Sequence, residues 1–211
     1  MASVSRRPSP QIFAGGFLAR LAGRAHNDAG MAAVEFSLIL PILVLLWIGG
    51  VEVTQALSVD RRLNNLASSI GDLVARSKII TYSDVDKIFD LGPGAMYPFC
   101  KTEAVCNTKG LKMRVTAVKM DDANPANGTV AWSRAQGITV YSDNQSMNSI
   151  VPVTLRVANT QVIMAEVYMP YTPAIGKVIV GTKNLSDRMF FVPRLVTKVQ
   201  LCDDNKANCK S

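Results

Sequence analysis

Histidine occurs once in this chain of 211 residues, at His26. A Ser–His or Cys–His nucleophile pair, or a histidine metal cluster, therefore has no material beyond that position. Neither common glycine-rich phosphate cradle, G-x-x-x-x-G-K-[ST] or G-x-G-x-x-G, is present. The formal net charge is +7, yet no basic run reaches five residues and no aromatic side chains interleave the cations. Residues 31–211 carry only +4 of that charge, scattered as on a solvated surface, which argues against nucleic acid as a partner. Asp121-Asp122 and Asp203-Asp204-Asn205 do not follow the spacing of a calcium loop and read as turn chemistry. These absences leave no cofactor and no catalytic machinery to assign, so the chain does not read as an enzyme.

What is present is one long apolar run. From Phe36 to Val51 there is no charged residue, and from Met31 to Val51 the run is 21 residues. As a helix that is about 31 Å, matching a hydrocarbon core of about 30 Å. It reads as a single transmembrane helix spanning residues 31–53. Val178-Ile179-Val180 and Met189-Phe190-Phe191-Val192 are short enough for core strands. Residues 1–30 carry four arginines against Asp28, whereas Glu52 and Asp60 offset Arg61 and Arg62 beyond the span. The positive-inside rule puts the N-terminus in the cytoplasm and the remaining chain outside. Ile12, Phe13, Phe17, Leu18 and Leu21 give the leader a weakly amphipathic character, and Thr54-Gln55-Ala56 is a poor signal-peptidase site.

Cysteine is confined to the far side of the span, as two close pairs: Cys100 with Cys106, and Cys202 with Cys209. In an oxidising compartment such pairs read as disulfides. Local pairing is the simplest of three connectivities, and a cross-pairing that staples the C-terminal pair to residue 100 stays open. Zinc is the rival, but neither pair has two-residue spacing and no histidine lies near.

Past Gly49-Gly50 the helical pattern continues. Ala56, Val59, Leu63, Leu66, Ile70 and Leu73 recur at spacings of three and four, while Arg61, Arg62, Asn65, Ser68 and Asp72 fall elsewhere. A helix from Ala32 to about Arg76 is expected, loosened at Pro41 and Gly49-Gly50, with its first half in lipid and residues 54–80 as its continuation. Residues 81–211 then form a separate domain. A short helix is expected over Thr81–Phe89, with Ser83 as N-cap and Asp86 completing a capping box, and a turn at Leu91-Gly92-Pro93-Gly94. Lys112–Met120 and Thr129–Arg134 read as a hairpin around the turn residues Asp121–Gly128. Ser142–Asn148 is a loop, and Asn159-Thr160-Gln161 separates Val153–Val157 from the strong strand Val162–Tyr171. Phe190–Val196 reads as a further strand, at an edge because of Pro193. The expected fold class is α+β: a long N-terminal helix, transmembrane in its first half, followed by a small antiparallel β-sheet domain.

Glu35 is the anomaly in the apolar run. An ionisable residue within a span costs about 2.5–3.5 kcal/mol on insertion scales. Its place at the cytoplasmic interface would lower that cost. The spacing offers another reason. Cleavage after Gly30 would give Met31 a new ammonium and make Glu35 the fifth residue of the shortened chain. The carboxylate then pairs with that ammonium, of its own helix or a neighbour's. Ala32 and Ala33 leave the backbone open to a protease and to close helix packing.

The stretch Gly30-Met31-Ala32-Ala33-Val34-Glu35-Phe36 resembles a type IV prepilin processing site. Extended through Ser37-Leu38-Ile39-Leu40-Pro41 it resembles the TadE-like pseudopilins of Tad (tight adherence, Flp-type) pilus systems, whose pattern is G-x-A-A-V-E-F-A-L-I-L-P. Arg61–Ala67, Val130–Arg134 and Ala165–Pro173 resemble the family's later segments, in the expected order. The resemblance implies a minor pilin of the bacterial inner membrane, with a pilin-like fold, that supports assembly of a thin adhesive fibre. It implies Gly30 as the last leader residue, Met31 as the mature N-terminus and Glu35 as the assembly carboxylate. The implied partners are a prepilin peptidase, other pilins and pseudopilins, the inner-membrane assembly platform and the lipid bilayer. A 30-residue leader is long for a prepilin, and the roughly 181 residues that remain fit a minor component rather than a short major pilin. The rival expectation is an unprocessed, single-pass periplasmic scaffold or sensor, with its N-terminus at Met1 and tolerant of Glu35→Ala.

Overall fold

A computed structural model describes residues 28–124, 127–177 and 181–211. The arginine-bearing leader up to residue 27, and Val178–Val180, lie outside the described residues. The fold is α+β: a long apolar helix at the N-terminal end, then a domain built on an antiparallel sheet. The chain divides into two compact units, one ending at Ile48 and one from Gly49 to Ser211.

Helix α1 (Asp28–Ala75) runs for 48 residues, about 72 Å at 1.5 Å per residue. Pro41 sits inside it. Its nitrogen carries no proton, so the Ser37 carbonyl loses its usual partner four residues on. Past Gly50 the Thr54 and Ser58 hydroxyls fold back onto the Gly50 and Thr54 carbonyls, each at 2.8 Å. The second half of α1 is amphipathic: Val59, Leu63, Leu66, Ala67, Ile70 and Val74 are buried. Leu73, expected on this stripe, is 41% exposed instead. The stripe advances by four residues from Ile70, which puts Val74 against the core.

Strand β1 (Ile79–Thr81) leads directly into α2 (Tyr82–Phe89). The helix cap differs from the Ser83/Asp86 expectation. Thr81 is the N-cap, its hydroxyl accepting from the Asp84 N–H at 3.2 Å, and Asp84 accepts from the Thr81 N–H at 3.2 Å. The cause is long-range. Thr81 pairs with Cys202 of the C-terminal strand β6 (Gln200–Cys202), so the chain stays extended through Thr81 and turns one residue later. Ser83 instead donates its N–H to Asp204 at 3.1 Å. The expected turn at Leu91–Gly94 is a short helical turn, α3 (Gly92–Ala95), and a further helix, α4 (Glu103–Thr108), follows with Thr102 as its cap.

The main sheet joins β2 (Lys112–Met120), β3 (Gly128–Gln136), β4 (Gln161–Tyr171) and β5 (Lys183–Phe191) in the order β3-β2-β4-β5, all antiparallel. β5 holds the expected edge position but not the expected residues. It ends at Phe191, before Pro193, and Arg194 donates to the Ala75 carbonyl at 3.0 Å, drawing the chain off toward the end of α1. Val153–Val157 is not extended: Val153–Leu155 form a 3-10 turn.

One sheet face, with Met113, Val115, Ala117, Ile163, Ala165 and Val167, packs in a single core with the α1 stripe. At Gly71 the helix and the sheet approach closely. A Cβ there would lie 2.4 Å from the Phe191 ring and 3.3 Å from the Ala165 methyl. The other face carries a smaller core of Val118, Met120, Val130, Met147, Val151, Val162 and Met164. A second sheet, in the order β1-β6-β7, pairs β1 with β6 in parallel and ends on β7 (Cys209–Lys210). Trp132, fully buried, donates its indole N–H to the Val199 carbonyl at 2.9 Å and so ties the two sheets. Disulfides join Cys100 to Cys106 and Cys202 to Cys209.

Candidate functional site

The Gly30–Met31 bond lies in the first turn of α1, where backbone N–H groups have no intrahelical acceptor. Met31 is 70% exposed, and a Cβ added to Gly30 would meet nothing within 4 Å. Glu35, also exposed, stands four residues after Met31 on the same helix. Side chains on a helix lean toward its N-terminus, so residues four apart lie one above the other. Glu35 therefore shares a helix face with residue 31, one turn away. Between Asp28 and Glu52 it is the one ionisable group.

Around it the helix has no polar face. Large apolar side chains from Met31 to Trp47 are 42–72% exposed on every side. The most apolar window of α1 has a mean hydropathy of 2.4 and none of it is buried. A surface of this kind is covered by lipid or by other helices. The Glu35 carboxylate thus stands one helical turn past the Gly30–Met31 bond on an apolar, exposed stretch of helix.

The Gly49–Ser211 unit holds two polar arrangements that sequence reasoning missed. The first is at Glu52, whose carboxylate accepts from the Gly176 N–H at 2.8 Å and also from the Ile175 N–H. A Cβ at Gly176 would come within 2.3 Å of Glu52 Oε2, so a larger residue there would displace the carboxylate. The Tyr171 hydroxyl reaches the Glu52 carbonyl at 3.5 Å, and burial, with the Glu52 charge second, pushes its phenol pKa up.

The second lies across β2, β4 and β5, where Arg114, Glu166 and Arg188 stand opposite one another in register. Glu166 is fully buried. It accepts from Arg114 Nε at 2.7 Å, Arg188 Nε at 2.8 Å and the Tyr168 hydroxyl at 2.9 Å. Arg114 also donates to the Thr139 carbonyl at 3.0 Å and the Tyr141 hydroxyl at 2.7 Å, with its guanidinium 3.7 Å from the Tyr141 ring centre. Burial raises the pKa of both tyrosines, and the Glu166 charge adds to it. With its donors occupied, this is a structural network. Part of the signal was available: Glu166 is the lone charge in the otherwise largely apolar β4.

The paired acidic residues do structural work. Asp203 accepts from the Asn208 N–H at 3.0 Å, and Asp121 accepts from the Ala123 N–H at 2.9 Å. Among the described residues no group of three or more His, Cys, Asp or Glu is placed to hold a metal ion. A cavity of about 520 Å³ beside α1 is lined by Gln55, Val59, Phe99, Lys109, Met169 and Tyr171. Its ammonium, Lys109, is already bonded to the Phe99 carbonyl at 2.6 Å.

Residues 30–71 match the family model described as TadE-like protein. The matched segment begins at Gly30, includes Met31 and Glu35, and ends at Gly71, where α1 packs tightly on the sheet. No curated protein and no solved structure matches the chain. Residues 30–71 of the long helix are thus similar to TadE-like proteins, a likeness consistent with Tad pilus systems.

Proposed function

We propose that this chain is a minor pseudopilin: a non-catalytic subunit that supports assembly of a Tad-type adhesive pilus. In this reading a prepilin peptidase cuts between Gly30 and Met31. The apolar half of α1 first spans the bacterial inner membrane, with the C-terminal domain in the periplasm, and later passes from lipid into a bundle of pilin helices. The observation that carries the reading is Glu35. It is a single carboxylate one helical turn past Met31, in the half of α1 that is apolar and exposed all round. Its charge is costly in lipid and is offset once an N-terminal ammonium pairs with it. Other pilins and pseudopilins, and the inner-membrane assembly platform, are the partners that follow.

N-terminal sequencing of protein extracted from membranes tests the first step. Co-expression with the matching peptidase should yield chains that begin at Met31, and Gly30→Leu should abolish that product while leaving insertion intact. Recovery of full-length chain alone beside an active peptidase would overturn the processing step. Normal fibres from the Gly30→Leu strain would overturn its role in assembly.

A further inference from the structure

The uncharged run of α1 ends at Val51, and Glu52 is the first residue past it. The Glu52 carboxylate holds the Ile175 and Gly176 N–H groups, and Tyr171 reaches its carbonyl. These bonds fix a short segment of the C-terminal domain beside Glu52, one residue past the apolar run. The Ile175 side chain is 65% exposed although its backbone is tied down. Lys177 and Lys183 are exposed, and among the described residues neither ammonium has a partner. Glu52 accepts from two N–H groups, and Lys109 donates to the Phe99 carbonyl.

We propose that Tyr171–Lys177, together with Lys183, is a second membrane contact. It rests on the same bilayer that α1 enters, with Ile175 in the boundary layer and Lys177 and Lys183 against anionic lipid phosphates. An apolar side chain flanked by cations at an interface is stabilised both by burial and by attraction to anionic lipid. The two N–H bonds offset the Glu52 charge, which would otherwise repel the phosphates. Continuity with the span selects lipid over a protein partner, because the segment is bonded to Glu52, one residue beyond the end of the apolar run. The inference rests on residues 31–51 being a span and needs neither cleavage at Gly30 nor pilus assembly.

All four native cysteines are in disulfides, so one introduced cysteine takes a nitroxide label alone. The full chain is reconstituted in vesicles containing phosphatidylglycerol, and accessibility to oxygen and to a water-soluble nickel chelate is measured at three sites. Leu43→Cys reports the span. Asp122→Cys lies beyond the opposite end of β2 and should be aqueous. Ile175→Cys should sit about 5–10 Å below the phosphates. Adding Lys177→Glu and Lys183→Glu, or using phosphatidylcholine alone, should move the 175 label toward water, by about fivefold in population per lysine lost. A deep label at 43 with an aqueous label at 175 would overturn the contact and spare the span. A label at 175 shielded from both reagents would overturn it in favour of a protein neighbour. An aqueous label at 43 would overturn the span itself.

Discussion

Glu166→Gln should unfold this domain at a markedly lower temperature. The substitution keeps shape and volume but removes the one negative charge between two guanidiniums, and it turns a carboxylate oxygen into an NH₂ donor facing arginine donors. Glu166 is fully buried, and the Arg114 side chain is only 7% exposed, so water cannot take over the lost role. Breaking a buried ion pair from one side costs about 3–5 kcal/mol. For a domain of 150–250 residues each kcal/mol is worth about 2–4 °C, so the midpoint should fall by roughly 6–20 °C. Buried Trp132 gives a near-ultraviolet dichroism signal for the melt, with the full chain in detergent or nanodiscs. The combined variant Arg114→Met/Glu166→Met/Arg188→Met leaves no stranded charge and should regain most of the loss, because apolar replacement of a whole buried triad is often neutral or better. A Glu166→Gln shift below about 2 °C, or a triple variant as unstable as the single one, would refute this account of the network.

Gly71→Leu should destabilise the helix–sheet contact by about 1–3 kcal/mol, since even a Cβ there lies 2.4 Å from the Phe191 ring. An unchanged urea midpoint would show that α1 can lift off the sheet at no cost. Alkaline pH should also weaken the fold. Burial holds the Tyr141, Tyr168 and Tyr171 phenols protonated above their ordinary range, so above about pH 10 the folded state binds more protons than the unfolded one. Their contribution is complete below that pH and is lost as pH rises; Lys210, raised by its bond to Asp143, acts in the same direction. The urea midpoint should fall between about pH 9 and about pH 11, less steeply for Tyr168→Phe, and parallel curves for the two proteins would refute the tyrosine part.

Periodicity carried most of the architecture. The spacing of Val59, Leu63, Leu66 and Ile70 located the packed half of α1, and alternation in Lys112–Met120 and Val162–Tyr171 located the central strands. Elements whose boundaries depend on distant residues were hidden. Thr81, not Ser83, caps α2 because β6, some 120 residues later, keeps Thr81 extended. β5 was misplaced because an edge strand can alternate Leu185, Asp187 and Met189 with exposed polar residues and show no long apolar run. The Gly30–Glu35 spacing was legible because its neighbours share one helix. The Glu52 clamp was not, since it joins residues 52 and 176 through backbone N–H groups that carry no residue-specific signal.

The parallel pairing of β1 with β6 also sets a schedule for how the domain comes into being. Ile79–Thr81 emerges soon after the long helix, yet its partner, Gln200–Cys202, emerges only after the whole main sheet. Until then one edge of the domain has no neighbour, and neither the Thr81 cap position nor the Trp132 bond to Val199 can be finished. A chain delivered from its N-terminal end therefore stays unclosed almost to residue 202, whatever compartment receives it. Subunits stalled before residue 202 are therefore distinguishable from closed ones by an open, unpaired β1.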